Sequence, residues 1–173
     1  LFGETTENIN RTQQYREQKL REKDKSFYIT VEEYNESLDT MCTCEQATLE
    51  QAGRIAELSQ RTNQFNLANA RYSADEIADL ILDSTYLVFS LTAKDKYGDM
   101  GMIGAAIVRN DAENVIEAFW LSCRVFGRKF EHILLNAIKE NTNEGLKGVY
   151  SETVKNKRFM HFYPENGVGI YVH

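Results

Sequence analysis

Two spacings of apolar residues alternate along this chain, one of period 3.6 and one of strand type. Between Thr48 and Arg61 the apolar positions are Leu49, Ala52, Ile55, Ala56 and Leu58, the stripe of an amphipathic helix. The next segment, RTNQFNLANARY, is polar and rich in amides, lacks Pro and Gly, and reads as an irregular connection. Ser73-Ala-Asp-Glu76 has the form of a capping box and starts a second helix with Ile77, Leu80 and Ile81 on one face. Residues Thr85 to Ala93, Gly101 to Arg109 and Val115 to Ser122 are rich in Val, Ile, Leu and aromatics and predict three strands. The first two are joined by KDKYGDMG, where Gly98 and Gly101 supply positive φ, and the turn NDAEN leads to the third. Arg128 to Lys139 returns to the helical spacing through Phe130, Ile133, Leu134, Ala137 and Ile138. A strand at 147–153, a short helix at 156–163 and a strand at 167–172 finish the pattern.

The N-terminal pattern is different. Residues 4–26 are almost wholly polar, with Ile9, Tyr15 and Leu20 as isolated apolar points, and read as a helical arm supported by pairs such as Glu17 with Arg21. Such an arm forms no core alone. Val31 to Tyr34 predicts a short helix and Leu38 to Cys44 a weak strand. The division expected is therefore an arm or connector over 1–30 and one domain over 31–173. Its order of strand, two helices, three meandering strands, helix, strand, helix, strand predicts an α/β (α+β) fold, a mixed central sheet with helices on both faces.

Composition narrows the chemistry. With 173 residues the chain is long enough to bury a real core. Hydrophobic residues make up 42% and charged residues 27%, and no apolar run approaches the roughly 18 residues of a membrane helix, so no membrane role is expected. A net charge of −6 without an evident basic patch argues against nucleic acid as a partner. Cys42, Cys44 and Cys123 cannot all pair within one chain, which fits a reducing, cytoplasmic setting. Cys42-Thr43-Cys44 lacks further ligands for a metal, and none is expected. The first residue is Leu rather than Met, so a fragment of a longer polypeptide is expected.

Two stretches carry a resemblance. RIAELSQRTNQFNLANARYS at 54–73 and LSCRVFGRKFE at 121–131 closely resemble the C-terminal half of FkbH-like proteins. TTENINRTQQYREQ looks like that family's connector, and the match runs on to KNKRFMHFYPENG at 155–167. The resemblance implies a GNAT-like acyltransferase domain that follows an upstream HAD-like phosphatase domain in the same polypeptide. No Asp-x-Asp motif of the HAD type occurs here. It implies transfer of a short, glyceryl-like acyl group, a polyketide extender unit, to the phosphopantetheine thiol of an acyl carrier protein, either through a cysteine thioester or directly. The cofactor implied is carrier-bound phosphopantetheine or coenzyme A.

The residues that would do this work each have a second reading. In GNAT-like folds a loop of the form Arg/Gln-x-x-Gly-x-Gly/Ala holds the pyrophosphate of coenzyme A on backbone N–H groups and a helix N-terminus. Arg124, Gly127 and Arg128 keep that form, whereas Lys129 stands where the small residue belongs. A single phosphodiester tolerates this better than a pyrophosphate, and the stretch also reads as a plain strand-to-helix turn. Cys123 is either the acyl-holding nucleophile, which the resemblance implies, or a small hydrophobe at a strand end. Tyr163 is a general acid for the departing thiolate or a core aromatic, and Asn156 a ligand of the pantetheine arm or a helix cap. Asn63, Gln64 and Asn66 line an acceptor cleft or tie down their own loop. Glu131 matches the family signature and would orient Arg124, while His132 reads as an ordinary helix residue. Two other functions compete with carrier loading: an acetyl-coenzyme A dependent N-acyltransferase, and a non-catalytic domain that docks a carrier protein.

Overall fold

The computed structural model of the protein describes residues 11–21 and 40–172. The chain falls into two compact units. One contains the described residues up to Cys42 together with Thr92–Gly101, and the other contains Thr43–Leu91 with Met102 onward. The helix expected at 31–34 lies outside the described residues.

In the first unit a helix at 11–21 (α1) meets the tip of a hairpin. Arg21 grips Asp95 with two hydrogen bonds, Nη2 to Oδ1 at 2.7 Å, and the two side chains are 4% and 0% exposed. Burying this pair is tolerable because the fork geometry satisfies both charges. Glu17 accepts from Gln13 Nε2 instead of pairing with Arg21. A Cβ on Gly98 would lie 2.2 Å from Glu17 Oε1, so any other residue there would require the Glu17 carboxylate to shift.

The remaining elements are β1 (Met41–Gln46), a 3-10 turn (Leu49–Gln51), α2 (Ala52–Arg61), β2 (Phe65–Asn66), α3 (Ala74–Leu82), β3 (Tyr86–Asp95), β4 (Gly98–Asn110) and β5 (Asn114–Leu121). After them come a 3-10 turn (Cys123–Val125), α4 (Phe130–Glu140), β6 (Lys147–Gly148), a 3-10 turn (Lys157–Phe159), α5 (Phe162–Glu165) and β7 (Gly169–Ile170). The sheet runs β1-β3-β4-β5-β6-β7, with β2 as an extra strand on β5.

Local chemistry accounts for most of these boundaries. The Ser73 hydroxyl accepts from the Glu76 N–H at 3.1 Å, and the Glu76 carboxylate accepts from the Ser73 N–H at 3.0 Å, which fixes the start of α3 as expected. β5 is apolar on both faces because both are covered. Ala118 and Trp120 join Ile55 and Ala56 of α2 and Ile77 of α3 in one core. Phe119 points to the opposite layer, toward Phe65 and Phe162. The β3–β4 hairpin is tighter than the sequence pattern implied, with strands reaching Asp95 and Gly98. Asp95 Oδ1 accepts from the Tyr97 N–H at 3.0 Å and Asp99 Oδ1 from the Gly101 N–H at 2.8 Å, local ties that the expected long loop did not include.

Candidate functional site

The candidate site begins where two parallel strands stop pairing. β5 and β6 are in register only at Val115 with Lys147 and Ile116 with Gly148. The last bond between them runs from the Val149 N–H to the Ile116 carbonyl at 2.9 Å. Beyond it β5 continues to Leu121 while the segment after β6 turns away, and this is why the strand expected at 147–153 has only two residues.

A segment of the chain itself fills the opening. β2 pairs antiparallel with the exposed edge of β5, Phe65 opposite Leu121 and Asn66 opposite Trp120. The Leu67 N–H continues the ladder to the Phe119 carbonyl at 3.3 Å, and the Leu67 carbonyl accepts from the Ser151 N–H at 2.8 Å. Residues 65–67 thus wedge between the diverging strands and bond to both. Phe65 and Leu67 are 2% and 0% exposed. Phe65 lies 4.2 Å from the Phe159 ring centroid and 5.2 Å from that of Phe162.

The amides hold this wedge. Asn66 Nδ2 donates to the Thr62 and Ala70 carbonyls at 3.2 and 3.0 Å, and its Oδ1 accepts from the Ala70 N–H at 3.0 Å. Asn63 Oδ1 accepts from Arg71 Nη2 at 2.8 Å, and Gln64 Oε1 from Arg158 Nη1 at 3.3 Å. Of the two readings of these amides, tying down their own loop matches the contacts of Asn66; Asn63 and Gln64 are surface residues bonded to arginines. Arg71, which the sequence pattern did not single out, closes the end of α2 by donating to the Ser59 and Gln60 carbonyls at 2.9 and 2.8 Å. The cue was its cationic charge a short loop beyond a helix C-terminus.

Asn156 belongs to the same structure. Its Nδ2 donates to the carbonyls of Asn66 and Ser151, both at 2.9 Å, and its Oδ1 accepts from the Tyr150 hydroxyl at 3.0 Å and the Thr153 N–H at 2.8 Å. The side chain does not cap the following 3-10 turn. With two donations and two acceptances made and no exposure, its amide has no capacity left for a pantetheine arm in this conformation.

Tyr163 is likewise enclosed. The residue is 1% exposed, its ring packs so tightly on Gly148 that a Cβ there would lie 2.3 Å from Cε2, and its hydroxyl has no hydrogen-bond partner among the described residues. Burial pushes the phenol well above its ordinary range. As it stands the hydroxyl reaches no solvent-borne thiolate, and its surroundings are those of a core aromatic.

The turn after β5 is built differently. Cys123 is exposed and opens the 3-10 turn, its carbonyl accepting from the Phe126 N–H at 3.3 Å. Ser122 Oγ accepts from the Arg124 N–H at 3.4 Å and from Arg124 Nε at 3.2 Å. Gly127 has φ +81 with no atom within 4 Å of a would-be Cβ. Lys129, at φ 65, is the N-cap of α4, a left-handed position that costs a side-chain-bearing residue about 1–2 kcal/mol relative to glycine. The Arg128 guanidinium stacks 5.0 Å from the Phe130 centroid, and the Glu131 carboxylate lies 3.7 Å from His132 Nε2. Cys42 and Cys44 stand on β1 and form no disulfide, and burial raises the pKa of Cys42.

No protein-family model matches the sequence, and no curated protein matches it. Solved structures do resemble it. The ribosomal-protein-S18-alanine N-acetyltransferase of Escherichia coli has 16% identity and a TM-score of 0.54 over 73% of this chain and 77% of its own. An aminoglycoside acetyltransferase from an uncultured soil metagenomic sample has 12% identity and a TM-score of 0.56 over 77% and 95%. An aminoglycoside N-acetyltransferase in complex with CoA has 15% identity and a TM-score of 0.53 over 78% and 91%. The fold is GNAT-like. At such identities the likeness is one of architecture.

Coenzyme A or a carrier-bound phosphopantetheine is the group expected from the sequence, and its two ends fare differently against the residues here. The turn fits a phosphate: Gly127 leaves room for close approach, and the eleven-residue α4 starts just beyond it with the positive end of its dipole, although the His132 N–H already donates to the Lys129 carbonyl at 3.1 Å. The edge of β5 does not fit the arm, because residues 65–67 already occupy it. Among the described residues no cluster of three His, Cys, Asp or Glu side chains forms a metal site, and no helix is long and apolar enough to cross a membrane.

Proposed function

We propose that this domain is an acyltransferase-type module that exchanges a short acyl group between thioesters at Cys123, and that its acceptor is the phosphopantetheine thiol of an acyl carrier protein. The observation that carries the reading is the exposed thiol at the head of the turn that leads from β5 into α4. The Cys123 thiolate would add to the thioester carbonyl of the donor, the donor C–S bond would break, and the departing thiolate would take up the proton that the cysteine released. Transfer onward repeats the step in reverse on a second thiol. Arg124, Arg128, Lys129 and the amides of the turn would hold the phosphate, with Gly127 permitting its approach. A glyceryl-like acyl group, an upstream HAD-like phosphatase domain and a cytoplasmic setting complete this reading, on the strength of the FkbH-like motifs.

A second reading is favoured by the fold comparison: direct, acetyl-CoA-dependent transfer to an amine, as the names of the similar solved structures describe. The two are separated by intact-mass measurement after incubation with an acyl-pantetheine thioester. Carrier loading through Cys123 predicts an adduct that hydroxylamine removes and that Cys123→Ala never forms. Acetylation of an amine at undiminished rate by Cys123→Ala would overturn that reading in favour of the second. Association with a carrier protein without any transfer would leave only a docking role.

A further inference from the structure

The wedge raises a question of access that the fold alone does not answer. An arm carrying two amide groups binds most naturally as an extra strand, its N–H and carbonyl groups pairing with an unpaired sheet edge. In this chain the matching edge is the second half of β5, and its groups are already spent. Phe65 and Asn66 stand in register with Leu121 and Trp120, and Leu67 bonds to Phe119 on one side and Ser151 on the other.

The segment also lacks the features of a displaceable lid. Phe65, Asn66 and Leu67 are 2%, 1% and 0% exposed, so removing them would open both an apolar hole and a row of unsatisfied backbone groups. Its contacts come from several separate parts of the chain: β5, Ser151, Asn156, the aromatic rings of Phe126, Phe159 and Phe162, and Thr62 and Ala70 on either side of it. Segments that open in function are drawn from regions with few buried contacts and exposed backbone bonds, and this one has the opposite character.

We infer that residues 65–67 are a permanent occupant of the groove between β5 and β6, so that a pantetheine arm never lies along β5 and thioester exchange is confined to the outer end, at Cys123. The inference rests on the proposed thioester chemistry for its second half only. The route that the fold implies for an acyl-CoA, along the strand edge and through the sheet, is closed in this protein. The wedge thereby selects a covalent relay over direct transfer, because donor and acceptor must visit the same exposed sulfur in turn.

Hydrogen exchange on the intact protein tests this without any substitution. Amide exchange across 65–67 and at Ser151 is followed by mass spectrometry alone, with coenzyme A at about 1 mM, and with an acyl-pantetheine thioester. The expected result is protection within about threefold of the slowest core amides, unchanged by either compound, whether or not coenzyme A binds elsewhere. Saturable coenzyme A binding accompanied by a tenfold or larger acceleration at 65–67 would overturn it. The thioester adduct is scored separately. A protected wedge with no adduct on Cys123 ends the proposed function and leaves the closed groove standing. An adduct accompanied by a deprotected wedge does the reverse.

Discussion

Replacing Asn156 by Ala is the most demanding test of how this site is held together. The side chain has no exposure and makes four hydrogen bonds, to Asn66, Ser151, Tyr150 and Thr153, at 2.8–3.0 Å. Each such bond contributes a net ~1 kcal/mol, and the carbonyls left behind cannot all find water. A loss of about 4 kcal/mol follows, equivalent to about 8–16 °C in Tm for a domain of this size. Urea denaturation followed by fluorescence of Trp120 measures it, since that indole donates to the Ala70 carbonyl at 3.0 Å, in the loop that Asn66 holds. Asn63→Ala, which removes one exposed bond to Arg71, is the control and should cost less than about 1 kcal/mol. Asn156→Asp adds a signature in pH. It loses both donated bonds and sets a buried carboxylate against the Asn66 and Ser151 carbonyls, so the folded state favours the protonated acid. A carboxyl whose folded pKa is raised contributes stability below its unfolded pKa that is lost as pH rises, so this variant should be relatively more stable at pH 4 than at pH 7. A loss below about 1 kcal/mol for Asn156→Ala would refute the account of Asn156 as the clamp of the wedge.

Tyr163→Phe removes a hydroxyl that is buried without a partner among the described residues, and should leave stability unchanged or raise it by about 1 kcal/mol, whereas Gly148→Ala drives a methyl into the same ring and should cost about 2–4 kcal/mol. Transfer activity that survives Tyr163→Phe would remove the phenol from the chemistry; a hundredfold loss would restore it as proton donor. At the turn, Gly127→Ala meets no atom but must adopt φ +81, for a cost of about 1 kcal/mol, and Lys129→Gly should gain about 0.5 kcal/mol, both read from urea midpoints. Asp83 is held below the usual carboxylate range by the Thr85 N–H and hydroxyl, so its contribution is complete above the unfolded pKa and fades as pH falls through the folded one. Asp83→Asn should flatten the acid limb of a Tm-against-pH curve, and an unaltered limb would show that the Thr85 contacts do not act on stability.

The order of elements was legible in the sequence because each is carried by a local signal. The capping box at Ser73, the helical stripe of α2 and the apolar run of β5 depend on neighbours within a few residues, and they stand where the spacing places them. The turn from strand to helix was legible too, but the exposure of Cys123 was not: the same sequence read equally as a small hydrophobe at a strand end, and the left-handed Gly127 was not foreseen. Asn156 and Tyr163 were harder, because their environment is made by residues far away in sequence. Nothing near Asn156 announces that its amide will reach Asn66, ninety positions earlier. The connection RTNQFNLANARY read as irregular because only two of its residues form a strand, and their partner strand is fixed by the tertiary fold. The expected strand at 147–153 failed for the complementary reason: its would-be neighbour had already been taken.

Leu67 meets Ser151, and Asn66 meets Asn156, across most of the domain's sequence. Such closures are slow to form, because a long loop of chain must be ordered before any contact rewards it. On an emerging polypeptide Phe65 and Leu67 therefore lack part of their cover until Ser151 to Phe162 have been made. A product ending before Ser151 would present two greasy side chains beside an open strand border, the combination that invites chains to stick to one another.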